Sequence, residues 1–112
     1  MGEGEIGYVS IRPYALSFIK KMSKYFEMIV FTASEKDYAD MIVDQLDLEG
    51  LIKHRLYREH CLKIDRNLYT KDLRIINRDL SQIVMVDNSA VSFLCQPENG
   101  IPILSYFGGE DR

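Results

Sequence analysis

Two short apolar runs decide what this chain can fold into, because each stops abruptly on polar residues. In EMIVFT, residues 27–32, four apolar side chains lead to Thr32; in SQIVMVDNS, residues 81–89, four lead to Asp87 and Asn88. A continuous apolar run of this length, without polar alternation, predicts a strand buried on both faces, as in a parallel sheet covered by helices. SEKDYADMIVDQLD follows the first run at once and has helical spacing, with Tyr38, Met41, Ile42, Gln45 and Leu46 along one stripe. Ser34, three residues before Asp37, suits its N-cap. Strand, tight turn and helix in immediate succession make half of a parallel α/β unit.

The flanks extend the pattern. GYVSI, residues 7–11, alternates weakly as a short strand would. Pro13 suits a first helical position, and Tyr14, Phe18, Ile19, Met22 and Phe26 then share one side of a helix. Lys20, Lys21 and Lys24 face away and suit its C-terminal turns. The middle, LIKHRLYREHCLKIDRNLYTKDL, mixes β-formers with charges around a DRN turn, an excursion from the main sheet. AVSFLCQ predicts a short helix stopped by Pro97, ENG a turn, and IPILSYF a last strand. The expected architecture is α/β: one open parallel sheet with flanking helices, in a single domain over residues 1–112.

Composition removes several functions. A net charge of −3 argues against a general nucleic-acid binder. No apolar run approaches the roughly 18 residues of a membrane span. MGEGEIG at the N-terminus is acidic and glycine-rich, unlike a secretory or mitochondrial targeting segment. Cys61 and Cys95 form no CxxC and have no histidine cluster beside them, so both are expected to be reduced, half-buried thiols of an intracellular protein, nuclear or cytoplasmic.

In open parallel sheets, ligands bind beyond the carboxyl ends of the strands. That rule puts Thr32, Asp87 and Asn88 on one edge. Asp87 and Asn88 are hard-oxygen donors of the kind Mg2+ prefers. Thr32, just before a helix, offers a hydroxyl to an anion, and Lys71 lies in a polar segment able to fold back over that edge. Each has a plainer reading: Thr32 as a strand end, Asp87 as a cap, Lys71 as a solvated charge. His54 and His60 lack metal-ligand spacing and suit surface or packing roles. Arg58, in the charged stretch KHRLYREH, could meet an anionic substrate.

RPYALSFIKKMSKYFEMIVFTAS, DYAD, LIKHRLYREHC, KDL, NRDLSQIVMVDNS and QPENGIPI together resemble the small C-terminal-domain phosphatases. These group with the nuclear LIM-interactor-interacting factors in the haloacid dehalogenase superfamily, and the resemblance runs from about residue 8 to residue 107. It implies a haloacid dehalogenase-like fold and a Mg2+-dependent phosphatase of phosphoserine and phosphothreonine proteins, working through a phospho-aspartyl intermediate. Thr32 would hydrogen-bond the phosphoryl oxygens, Lys71 would neutralise phosphoryl charge, Arg58 would contact substrate, and Asp87 and Asn88 would serve the Mg2+ site. The repetitive tail of RNA polymerase II, or a signalling transcription factor, is the implied substrate.

One departure qualifies this. The family carries its nucleophile and its acid/base in a DxDx(T/V) motif on a first strand, and this chain contains no Asp-x-Asp. In the superfamily that strand lies between the two that here end in Thr32 and Asp87. The central nucleophile strand is therefore expected to be absent, as in a fragment of a phosphatase that is inactive alone. The alternative is a non-catalytic module that keeps the fold to bind phosphopeptides or proteins.

Overall fold

The computed structural model describes residues 12–106 and Gly108; the strand expected at 7–11 lies outside them. Two helices and six strands follow in the order α1 (Ala15–Met22), β1 (Met28–Phe31), α2 (Lys36–Leu46), β2 (Ile52–Leu56), β3 (Leu62–Asp65), β4 (Leu68–Thr70), β5 (Met85–Asp87) and β6 (Gly100–Pro102). Both apolar runs form strands, and both connect onward in parallel. β1 pairs parallel with β2 across the α2 crossover, and β5 pairs parallel with β6. The charged middle folds as the antiparallel hairpin β3–β4. Its DRN turn places Asn67 at φ 60°, a left-handed conformation that asparagine tolerates better than most residues.

The sheet differs from the single one expected. Among the described residues the strands form three separate two-stranded sheets, and β1 is not hydrogen-bonded to β5. Burial follows from this: all four residues of β1 are only half-buried, and Val84 and Val86 beside and within β5 are 54% and 43% exposed. A strand paired on one side cannot be covered as a central strand is.

Several local expectations shift for identifiable reasons. α1 begins at Ala15, after Tyr14 in a left-handed conformation (φ 69°), so Pro13 stands outside the helix. Of its apolar set only Ile19 is buried, while Tyr14, Phe18 and Phe26 are exposed. α2 buries Ala39 and Val43, with Met41, Ile42 and Leu46 half-covered, so its stripe is rotated about one position and leaves Tyr38 exposed. Ser34 does not cap α2. Glu35 occupies that position without a side-chain bond, because the carbonyl of Ser34 accepts from the Arg58 amide at 3.0 Å and its amide is held by Thr32. The helix expected in AVSFLCQ is a 3-10 turn, Ala90–Phe93, and the last strand stops at Pro102. Cys61 is half-buried as expected, but Cys95 is exposed.

Asp40 ties α2 to the end of β2. It accepts from Lys36 Nζ at 2.6 Å, from Arg55 Nη1 at 2.9 Å and from the Tyr57 hydroxyl at 2.6 Å. Lys36 first, then Tyr57 and Arg55, hold its carboxyl well below the usual carboxylate range. A depressed folded-state pKa contributes stability above the unfolded value, about 3.9, and that contribution is lost as pH falls through the lower folded value. Urea midpoints measured down the acid limb should therefore fall more steeply below about pH 4 in the wild type than in Asp40→Asn. Parallel curves would show that Asp40 is not responsible.

Candidate functional site

The carboxyl end of β5 carries a closely covered ion pair. Lys71 is 7% exposed and its ammonium donates to Oδ2 of Asp87, whose side chain is 11% exposed. A lysine covered to this degree is rare unless paired, so the plain reading of Lys71 as a solvated charge does not hold. Oδ1 of Asp87 accepts the Ser89 amide at 2.9 Å, so the loop after β5 fixes the carboxylate from its other side. This bond to the amide two residues on is an Asx turn and not a cap, since Ser89 holds the N-cap position of the turn Ala90–Phe93 without a side-chain bond, and it coexists with the ion pair.

Lys71 also joins the two parallel pairs. Its ammonium lies 5.9 Å from the ring centroid of Phe31, the last residue of β1, immediately before Thr32. The amide of Thr32 still bonds the Leu56 carbonyl at 2.9 Å, continuing the β1–β2 pairing, while its Oγ1 accepts the Ser34 amide at 3.0 Å. The hydroxyl oxygen is thereby held, and its hydrogen remains to be donated. Both strand ends named by the sequence thus approach one cation.

Arg58 comes from a 3-10 turn, Arg58–His60, between β2 and β3. Its Nε donates to the Ala33 carbonyl at 2.7 Å, its guanidinium lies 5.3 Å from the Tyr69 ring centroid, and Nη1 is 3.5 Å from Glu35. The arginine is therefore laid across the turn that follows β1. His60 Nδ1 accepts the Tyr57 amide at 2.9 Å and closes the turn, a packing role. His54 sits at the surface, 3.2 Å from Glu27.

Cys61 was not singled out by sequence, yet it belongs to this cluster. Its thiol points at the carbonyls of Thr32 and Tyr57, both at 3.7 Å. Burial pushes the thiol's pKa up, while Lys71 and Arg58 pull the other way and Asp87 adds to the rise. Nothing in the spacing of a single cysteine could have located it.

Asn88 stands apart from the ion pair. It is exposed, and its Nδ2 donates to Ser105 Oγ at 3.2 Å. That bond uses the amide's donor side and leaves Oδ1 as an available oxygen. Among the described residues no group of three His, Cys, Asp or Glu side chains converges as a metal cage. The hard-oxygen set here is one carboxylate and one amide, which fits a cation that keeps most of its own water. No helix among these residues is long and apolar enough to cross a membrane.

The chain is similar to known proteins over most of its length. The sequence pattern of the NLI interacting factor-like phosphatase family matches residues 2–112. CTD small phosphatase-like protein 3 of Caenorhabditis elegans is 48% identical over 101 residues, covering 89% of this chain and 35% of that protein. CTD small phosphatase-like protein 2 of Dictyostelium discoideum is 47% identical over 100 residues, 89% of this chain and 18% of that protein. Carboxy-terminal domain RNA polymerase II polypeptide A small phosphatase 2 of Mus musculus is 43% identical over 100 residues, 89% of this chain and 37% of that protein. The chain thus spans between 18% and 37% of the length of these relatives. With a match over nearly every residue and such identities behind it, the chain belongs to the NLI interacting factor-like phosphatase family.

Proposed function

We propose that this chain forms the phosphate- and metal-supporting part of a Mg2+-dependent protein serine/threonine phosphatase of the phospho-aspartyl type. The observation that carries the proposal is the buried Lys71–Asp87 pair at the end of β5, reached from the other side by the end of β1. Lys71 presents ammonium donors to a phosphoryl group, and the Thr32 hydroxyl donates to a second phosphoryl oxygen. Arg58, already directed over the turn after β1, meets the substrate at the rim. Catalysis of this kind rests on positioning and on neutralising phosphoryl charge. Asp87 and the Oδ1 of Asn88 would hold Mg2+, which when bound supplies further charge neutralisation at the phosphoryl oxygens. The substrate is a phosphoserine or phosphothreonine protein, and the name of the murine relative supports the RNA polymerase II tail as one.

The attacking carboxylate is not among these residues, because the sequence has no Asp-x-Asp. In this reading the nucleophile strand belongs between β1 and β5. The half-buried β1 and the exposed Val84 and Val86 support that placement.

Phosphate binding and turnover should therefore separate. The 112-residue chain is expected to bind inorganic phosphate in the presence of Mg2+, to lose that binding in Lys71→Met, and to leave para-nitrophenyl phosphate unhydrolysed. Hydrolysis abolished by Asp87→Asn would overturn the inactivity and require another nucleophile. Undiminished phosphate binding by Lys71→Met would overturn the site. Tight binding of a phosphoserine peptide without turnover would favour the non-catalytic module, which the missing Asp-x-Asp also fits.

A further inference from the structure

The backbone on both sides of Lys71 is bound to one short stretch of chain, residues 91–96. On one side the Thr70 hydroxyl, in a residue 3% exposed, donates to the Val91 carbonyl at 2.7 Å. On the other, Gln96 makes a two-point contact: its Oε1 accepts the Leu73 amide at 2.8 Å and its Nε2 donates to Asp72 Oδ1 at 2.9 Å. Gln96 and Leu73 are buried, so neither bond can be exchanged for water at no cost. Residues 91–96 begin four residues after Asp87 and are joined to it by the turn that the Ser89 amide opens. One stretch of chain therefore carries Asp87 and also holds the backbone from which Lys71 reaches it.

We propose that Gln96 is a positioning residue for the phosphate-facing lysine. Through Asp72 and Leu73 it fixes the segment from which Lys71 meets Asp87, so the lysine's aim depends on an amide that touches neither partner. This rests on the reading of Lys71 as the phosphate-binding cation. A buried glutamine serving only packing would lower stability when replaced and leave the aim of Lys71 unchanged.

The test uses the 112-residue chain, inorganic phosphate with Mg2+ as probe, and acetic anhydride labelling read by mass spectrometry. Gln96→Met keeps the side-chain length and removes both bonds. It should weaken phosphate binding about tenfold, the usual size of an outer-shell effect, and raise the acetylation rate of Lys71 relative to Lys24 by a similar factor. Asp79→Ala, which removes the cap of the turn Leu80–Gln82, provides a control destabilised elsewhere. It should move neither readout. Unchanged labelling of Lys71 in Gln96→Met, or a similar change in Asp79→Ala, would overturn the proposal. Should phosphate binding survive Lys71→Met, the functional reading fails instead, and the labelling still decides whether Gln96 positions the lysine.

Discussion

Asp87→Ala is expected to destabilise the chain by about 3–5 kcal/mol, the loss typical of removing one partner from a buried ion pair. The magnitude follows from Lys71, which is 7% exposed and has its ammonium on Asp87. Once the carboxylate is gone, a lysine charge remains inside with no anion to pair with and only the Phe31 ring beside it. Domains of this size are held by about 5–15 kcal/mol in all, so such a loss removes a large part of their stability. Replacing both partners by apolar residues of similar size, Lys71→Met with Asp87→Leu, should cost much less than the single change, because no orphaned charge is left. Urea denaturation of the two variants checks this directly. If the double variant is as unstable as Asp87→Ala, the cost comes from packing around β5 and not from the abandoned lysine.

Leu73→Ala should cost about 2–5 kcal/mol. Leu73 is 1% exposed, the only large side chain among the described residues that is completely covered. It begins the 3-10 turn Leu73–Ile76, and its amide is the one Gln96 accepts. Truncation loses the transfer energy of the deleted atoms and leaves a cavity beside the clamp on Lys71. Leu73→Met, which nearly conserves volume, should stay below about 1.5 kcal/mol. Equal midpoints for the two variants in urea would show that the site collapses freely and that Leu73 is not a packing anchor.

The parts legible in the sequence were those with a period or an abrupt boundary. The two apolar runs gave strands, the helical spacing after Thr32 gave α2, and the DRN turn gave the hairpin. The polar end of the second run led to Asp87, which the fold pairs with Lys71, and the ring of Phe31, the residue before Thr32, faces the same ammonium. What the sequence hid depended on tertiary partners. Ser34 has good capping chemistry, but Thr32 and Arg58 take its backbone groups first. The runs promise burial on both faces, yet burial depends on how many strands stand beside them, and no local pattern encodes that. Gln96 sits between Cys95 and Pro97 with no periodicity around it, so its two buried bonds could be known only from the fold.

The hairpin β3–β4 runs directly into Lys71, and its poor covering has a consequence for the site. Leu62, Ile64 and Leu68 are exposed, so little apolar contact resists fraying there. The Thr70 bond to Val91 stands at the junction and acts as a stop: the strands can breathe up to it without carrying the lysine along. Such a partition frees residues 62–68 to drift in sequence, to accept insertions, or to be cut by a protease, whereas Tyr69 stays tied to Arg58 through its ring. Sequence change in such an appendage would leave the Lys71–Asp87 pair in place.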